Sequence, residues 1–258
     1  MRSAKVKKSL KASLKAELSE GRRTFTNQWD FWLFPEQVEL TGPLVIYGEP
    51  KYTWLRTVKG LPMASSSDLA GDRVRAILTE RLDEPAVTFA RMGGKVIVAA
   101  DEGLVRQFGP LLTHAYGRYF FTRPANYPPF EDGHDGTIIL SHPMLGNTPH
   151  DGFADLQFFR MLAEAPPLEL ESLGLNGADP VIRVMHSYPV GRSLGYLTEA
   201  SLGRGGLILS SLNLNTSWIE ARYLLAQICS YAVGGDFAPA IALDEDALAA
   251  IVSGTSLP

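Results

Sequence analysis

Two adjacent carboxylates offer the first candidate chemistry in this sequence. Asp101 and Glu102 directly follow an apolar run at residues 95–100, and open α/β sheets bind ligands at the carboxyl ends of such strands. A glycoside hydrolase would need two carboxyl groups about 5–9 Å apart, but adjacent residues after a strand point in different directions. Helix capping therefore explains the pair as well, and in a binding site the two residues would be polar anchors.

Three histidines form the second candidate group. His134, His142 and His150 are spaced by eight residues and lie among several aspartates, so the 132–155 loop could hold a metal. The spacing matches no established metal-ligand motif, and hydrogen bonding in turns and caps explains the histidines more simply. We therefore expect no metal and no cofactor.

No residue is placed to act as a nucleophile. The chain continues after residues 95–100 as Asp101, Glu102 and Gly103, without a thiol or hydroxyl group where a nucleophile elbow would present one. The one cysteine, Cys229, lies in an apolar helical run, where we expect a small buried side chain. The glycine-rich residues 203–206 lead into a strand and lack the Lys-Ser/Thr pair of a phosphate loop, so they predict a hairpin turn.

Aromatic side chains are the best candidates for binding. Four aromatic residues occupy six positions from Trp29 to Phe34, and Pro35 ends the segment. Each ring brings about 150–250 Å² that must be buried against this domain, a neighbouring domain or a stacked sugar. We expect any glycan contact at the aromatic residues Trp29, Trp32, Trp54 and Tyr127, with Asp101 and Glu102 beside them.

A strand, a helix and a second strand over residues 75–101 must position these groups. The apolar run 76–79 is followed by Asp83 as a helix cap and Pro85 in the first turn. Gly93 and Gly94 end the helix, and residues 95–100 form a continuous apolar strand, as expected when both faces of a sheet are covered. The pattern predicts a parallel βαβ unit.

The remaining elements complete an α/β fold class. Strands are predicted over residues 42–48, 137–140, 181–185, 194–199 and 206–212, the last two as an antiparallel hairpin. Helices are predicted over residues 52–58, 102–112, 151–162 and 218–233, with Phe153, Leu156, Phe159 and Leu162 turned inward. Residues 11–18 fit either an edge strand or a short amphipathic helix, and 117–136 an irregular excursion. The layout predicts a flavodoxin-like or amidotransferase-like, mostly parallel sheet flanked by helices, with an antiparallel hairpin and an N-terminal extended segment.

Composition excludes several classes of partner. A net charge of -4 in 258 residues argues against a general nucleic-acid binder, which needs a dense basic surface. No stretch reaches the roughly 20 apolar residues of a membrane span. A single cysteine also excludes an internal disulfide.

Four segments together resemble the C-terminal region of large bacterial proteins related to family 2 glycoside hydrolases, of the β-galactosidase sugar-binding type. They are residues 27–35, residues 78–84 with 93–96, residues 142–145 with the segment that follows, and residues 194–199 with 205–210. The resemblance implies that residues 1–35 are an N-terminal segment and aromatic linker, the tail of a preceding β-sandwich, and that 36–258 form an amidotransferase-like α/β domain. Such enzymes hold their catalytic carboxylates on a TIM barrel, so the resemblance places no catalytic residue in this chain.

We therefore expect a non-catalytic accessory domain of a glycoside hydrolase-like, carbohydrate-active protein, which serves domain packing or glycan contact. Its partners would be carbohydrate or adjacent domains of the larger protein, and the chain could also form a homo-oligomer. The parent protein would be secreted or periplasmic. Two alternatives stay open. One is a stand-alone hydrolase that uses carboxylates at strand ends or a metal site in the 132–155 loop, and the other is a purely structural oligomerisation module.

Overall fold

The computed structural model of this chain describes residues 6–40, 42–56, 58–100, 134–163, 165–186 and 192–253. The predicted helix at 102–112 and most of the predicted excursion at 117–136 lie outside these ranges. The described residues form a two-stranded sheet near the N-terminus and a nine-stranded sheet that is flanked by helices.

The N-terminal sheet is a long antiparallel hairpin. Its strands are β1 (Leu10–Glu20) and β2 (Arg23–Leu33), and they pair without a break from Leu10 opposite Leu33 to Glu20 opposite Arg23. Of the two interpretations of residues 11–18, the strand is confirmed. Gly21, with φ of 58°, occupies the left-handed conformation that the tight turn requires.

The larger sheet combines a parallel part with an antiparallel part. Its strands run in the order β4-β3-β5-β6-β11-β10-β9-β7, and β8 also pairs with β10. Neighbours from β4 to β11 are parallel, whereas the other pairings are antiparallel. The strands are β3 (Leu44–Tyr47), β4 (Met63–Ala64), β5 (Ala76–Thr79), β6 (Lys95–Ala99), β7 (His134–Ile139), β8 (Leu168–Glu169), β9 (Ile182–His186), β10 (Leu194–Leu202) and β11 (Gly205–Ser210).

In the described part of the chain, five α-helices accompany the sheet. They are α1 (Thr53–Arg56), α2 (Glu84–Arg91), α3 (Phe159–Leu162), α4 (Ile219–Val233) and α5 (Glu245–Ser253). The mixed α/β class is confirmed, with a mostly parallel sheet, flanking helices and the antiparallel hairpin of β10 and β11.

The predicted βαβ unit is confirmed by β5, α2 and β6. The Asp83 carboxylate accepts a hydrogen bond from the Ala86 amide at 3.0 Å, as an N-cap does, and Pro85 lies in the first turn. Gly93 follows the helix with φ of 116°. Strands β5 and β6 pair in parallel from Ala76 opposite Lys95.

The sheet separates two apolar cores. Successive side chains of a strand point to opposite faces, so Ile97 of β6 lies in one core and Val96 and Val98 lie in the other. Helix α4 packs in the first core, and helices α2 and α5 pack in the second. Helix α4 is more deeply buried than the amphipathic helix predicted at 218–233, because even Glu220 in its first turn is 6% exposed.

The helix predicted over residues 151–162 is wrong. Residue Phe153 bridges Ile138 of β7, and only Phe159–Leu162 is helical. Three of the side chains predicted to face inward are exposed, and of the four only Leu162 is buried. Phe158 and Met161 enter the core instead, so the predicted face was displaced by one residue.

Within this chain the aromatic segment is buried only in part. Trp29 is 50% exposed and Phe31 is 40% exposed, because both lie on the outer face of β2. Trp32 and Phe34 are half-buried, and the Phe34 ring lies 5.5 Å from the Tyr223 ring of α4. The segment thus reaches the domain through its last residues.

Candidate functional site

A cleft of about 1070 Å³ lies between the segment that precedes β3, helix α1 and the loop that leads into α4. Its apolar lining includes Val38, Leu40, Trp54 and Val58, and its polar lining includes carboxylate, amide, hydroxyl and cationic groups. A concave site with apolar walls and a few convergent polar groups is the usual form of a small-ligand site.

The aromatic wall of the cleft is Trp54. Helix α1 carries this indole into the lining, and the Tyr52 ring stacks on it with centroids 5.9 Å apart and planes inclined by 21°. The Tyr52 hydroxyl donates a hydrogen bond to the Ala100 carbonyl at 3.3 Å, which ties this aromatic pair to the end of β6. Trp54 is therefore held in place by its own segment.

Arg222 organises the opposite wall. It reaches from α4 and donates to the Glu36 carbonyl at 3.0 Å and to the Thr216 carbonyl at 3.4 Å. Its Nε atom is buried and has no hydrogen-bond partner within the described ranges. The guanidinium group thereby connects the segment after the N-terminal hairpin to the loop before α4.

Gly60 allows the backbone on one side of the cleft to lie close to the backbone at Leu40. Its φ is 90°, and a Cβ atom there would lie 2.6 Å from the Leu40 carbonyl oxygen. Across the cleft, the Asn215 side-chain carbonyl accepts a hydrogen bond from the Ser217 amide at 3.0 Å. Close backbone packing at Gly60 and the hydrogen bond of Asn215 thus help to fix the shape of the cleft, and neither contact involves a charged side chain.

Charges in the cleft are balanced. Glu36 and Glu39 supply two carboxylates, and Lys59 and Arg222 supply two cations. A strongly charged ligand gains little from such a lining. One indole with amides, hydroxyls and balanced charges suits a neutral polyhydroxylated ligand, whose C–H face stacks on an aromatic ring while its hydroxyls find polar partners.

A buried carboxylate fixes the ends of two parallel strands. Glu80, which follows β5, is 4% exposed and accepts hydrogen bonds from the Lys51 amide at 2.6 Å and the Tyr52 amide at 2.5 Å. Nearby, the Tyr47 hydroxyl donates to the Asp83 carboxylate at 2.9 Å. The carboxylate of Glu80 thus positions the backbone from which α1 and Trp54 follow.

A second buried group of titratable residues lies on the α4 side of the sheet. Glu199 of β10 lies with one oxygen 3.6 Å from His142 Nε2, and the ring of Tyr231 packs 5.5 Å from that of His142. Burial raises the pKa of Glu199, a shift that the hydrogen bond from Tyr231 partly offsets, and burial lowers the pKa of His142. None of the three residues lines the cleft. The group instead connects β10, the turn at His142 and α4.

Two of the three candidate histidines accept hydrogen bonds in turns, and the third, His134, begins strand β7. His142 Nδ1 accepts from the Met144 amide, and His150 Nδ1 accepts from the Gly152 amide, each at 3.2 Å. Within the described ranges, no three His, Cys, Asp or Glu side chains are grouped to hold a metal ion. The predicted burial of Cys229 is confirmed, and burial raises the pKa of its thiol.

The tryptophans proposed for binding do not form one platform. Trp29 and Trp32 lie on opposite faces of β2, and only Trp54 lines the cleft. Asp101, Glu102 and Tyr127 lie outside the described residues. Sequence analysis missed Arg222 and Asn215, whose position beside Trp54 depends on packing between distant elements.

One G-x-S-x-G match was also overlooked, at residues 191–195 with Ser193 in the centre. A nucleophile elbow requires a strand before the serine and a helix after it. Here Ser193 leads directly into strand β10, and its carbonyl accepts a hydrogen bond from the Leu170 amide at 2.9 Å. The match therefore lacks the structural context of a nucleophile.

Comparison with known proteins identifies a family for most of the chain. The sequence model of a family described as "Domain of unknown function (DUF8487)" matches residues 77–253. No curated protein sequence matches the chain. Within the described ranges, no helix is both long and apolar enough to cross a membrane.

Two solved structures are weakly similar to this one. The cytoplasmic protein STM3548 from Salmonella typhimurium is 10% identical, with a TM-score of 0.28, over 86% of this chain and 95% of its own. The cytoplasmic protein STM1381 from Salmonella typhimurium LT2 is 8% identical, with a TM-score of 0.27, over 87% of this chain and 94% of its own. These scores are too low to support a conclusion about fold or function.

Proposed function

This chain belongs to DUF8487, a family of unknown function, and we propose that it is a non-catalytic carbohydrate-binding domain of a larger protein of the family 2 glycoside hydrolase type. The observation that carries the proposal is the cleft at Trp54. Its lining offers an indole, balanced charges and several amide and hydroxyl groups. The proposed ligand is a neutral glycan.

The strand order supports a flavodoxin-like or amidotransferase-like domain as the scaffold. The parallel part of the sheet runs β4-β3-β5-β6-β11. Numbered by position along the chain, this is the doubly wound order 2-1-3-4-5. Such sheets bind ligands outside the carboxyl ends of their strands; in the Trp54 cleft, α1 and the loop before α4 follow strands, whereas residues 36–40 precede β3.

The accessory role is supported by the arrangement of the candidate catalytic groups. Cys229 is buried in the core, His142 and His150 are engaged in turns, and Ser193 precedes a strand instead of a helix. The Cys229 thiol is shielded from solvent, both imidazoles already accept a backbone hydrogen bond, and Ser193 lacks the strand-to-helix turn that presents a nucleophile. The domain would hold a glycan for a catalytic domain elsewhere in the parent protein.

Binding to a panel of neutral oligosaccharides tests the proposal, with lactose and cellobiose titrated by calorimetry and galacturonate as an anionic comparison. We expect at least one neutral sugar to bind with a Kd of about 1 mM or lower. Trp54→Ala should weaken that binding at least about tenfold, because the stacking surface is lost. Galacturonate should bind no better than its neutral counterpart.

Trp29→Ala is the control, because it removes an exposed indole that lies outside the cleft. It should leave the Kd unchanged. Equal loss of binding in both variants would reject the Trp54 cleft as the site. Hydrolysis of a nitrophenyl galactoside by the purified chain would contradict the non-catalytic role.

A further inference from the structure

The N-terminal hairpin has one polar face and one apolar face. Side chains alternate along each strand, and the register places Leu14 opposite Trp29 and Leu18 opposite Phe25 on the same face. Ala12, Ala16 and Phe31 lie on that face as well. Asn27 is its one polar residue before the pair of Glu20 and Arg23 at the turn.

This apolar face is open to solvent. Exposed fractions run from 40% for Phe31 to 69% for Leu18 among its six exposed large apolar side chains, which are Leu10, Leu14, Leu18, Phe25, Trp29 and Phe31. Monomeric proteins rarely expose a contiguous apolar patch of this size unless it binds something. A two-stranded hairpin is also only marginally stable until its apolar face is covered.

The opposite face of the hairpin is already engaged. Lys11 forms ion pairs with Asp30 at 2.9 Å across the hairpin and with Asp151 of the domain at 2.5 Å. Gln28 donates to the Ser13 hydroxyl at 3.2 Å, and Ser9 donates to the Asn147 carbonyl. The domain therefore holds the hairpin by its polar side, and the apolar side points away from these contacts.

We propose that the apolar face of the hairpin is the interface of a symmetric homodimer, in which the hairpins of two copies pack face to face. The interface would lie outside the Trp54 cleft, and the proposal does not depend on glycan binding. Two sheets packed in this way lie about 10 Å apart with interdigitated side chains. Each copy would thus cover the surface that the other exposes.

The exposed area fits a second copy. The exposed fractions of the three aromatic residues and three leucines add up to about three whole side chains, so at about 200 Å² each the face offers on the order of 600 Å² per copy. Two copies would then bury on the order of 1,200 Å², which is the lower limit for a stable interface. The central part of the face carries no charge that would select a different, complementary partner.

Sedimentation of the full chain between about 5 and 200 µM provides the first test. We expect a reversible, concentration-dependent dimer of the 28.2 kDa chain, since an interface at the lower limit of area supports a weak association. A monomer at the highest concentration would overturn the proposal and leave the face to another domain of a longer protein or to a membrane surface.

A pair of double variants tests which face is used. Leu14 and Trp29 are cross-strand partners on the apolar face, and Lys15 and Gln28 are the adjacent partners on the polar face. We expect L14T with W29T to raise the dimer Kd at least about 30-fold, and K15T with Q28T to leave it unchanged. Threonine preserves strand propensity, and circular dichroism verifies the fold. Equal effects would overturn the proposal.

Cysteine cross-linking offers a readout that does not depend on affinity. Because Cys229 is buried, an introduced cysteine is the reactive one. Under mild oxidation Leu14→Cys should give a disulfide-linked dimer, whereas Lys15→Cys should remain largely monomeric on a denaturing gel. Cross-linking of both variants to the same extent would indicate edge-to-edge pairing of strands and would overturn face-to-face packing.

Discussion

At the scale of single residues, Glu80 decides how the polypeptide leaves two neighbouring strands. Its carboxylate is buried and accepts two backbone hydrogen bonds, so it is an anchor within the fold. We expect Glu80→Gln to destabilise the protein by about 1–3 kcal/mol, because the amide NH₂ group would face a backbone donor. Urea denaturation measures the change.

Glu84→Gln is the control for this prediction. Glu84 lies in the first turn of α2 and is exposed, so its substitution should change stability by no more than about 0.5 kcal/mol. If the two variants lose the same free energy of unfolding, the hydrogen bonds of Glu80 do not stabilise the fold more than an exposed glutamate does.

Local chemistry made some residues predictable and others not. The cap at Asp83, the turn roles of His142 and His150 and the burial of Cys229 follow from neighbouring residues. The partners of Glu199 and Arg222 come from distant parts of the chain. Their positions depend on tertiary packing, which no local pattern specifies.

At the scale of elements, the hairpin of β10 and β11 packs closely on the end of α2. A Cβ atom at Gly205 would overlap the carbonyl oxygens of Gly94 and Ala90. Because backbone atoms cannot move aside as a flexible side chain can, Gly205→Ala should cost about 3 kcal/mol or more. A thermal unfolding scan measures the loss.

Gly235→Ala provides the comparison, since a Cβ atom there has open space around it. Its unfolding temperature should stay within about 2 °C of the unsubstituted protein. A wild-type melting curve for Gly205→Ala would mean that α2 and the hairpin are less closely packed than described.

The type of an element was predictable where the spacing of apolar residues agreed with the capping, proline and glycine residues at its ends. The unit of β5, α2 and β6 has an apolar run, a cap, a proline and two glycines in succession, and its bounds were predicted closely. Residues 151–162 carry apolar residues at helical spacing, yet Phe153 pairs with Ile138 of β7, residues 156–158 form a turn, and only Phe159–Leu162 is helical. Strand pairing thus overrode local helical periodicity there.

At the scale of the whole molecule, the N-terminal hairpin lies outside the hydrophobic cores of the nine-stranded sheet. Neither apolar core contains a residue from the hairpin. We expect a chain that lacks residues 1–33 to fold cooperatively with an unchanged urea midpoint, because Phe34 still packs on Tyr223 and Glu36 still accepts from Arg222. Circular dichroism and urea denaturation measure this.

One result of the deletion experiment would contradict this prediction. Loss of the cooperative transition would show that the hairpin is part of the folding unit, despite its position outside both cores. The boundary predicted after residue 35, where a proline ends the aromatic segment, stays a prediction that this deletion tests. The antiparallel strands β7 and β9 beyond β10 were predicted as strands, but their order in the sheet was not, since strand order depends on long-range pairing.

The place of β11 between β6 and β10 has a consequence for synthesis on the ribosome. Strand β6 is complete at Ala99, but β11, which pairs with its second edge, begins only at Gly205. At about 5–20 residues per second, the nascent chain holds the apolar edge of β6 unpaired for on the order of ten seconds. During that interval the edge is open to pairing with other strands. Chaperone demand should therefore concentrate in the second half of translation.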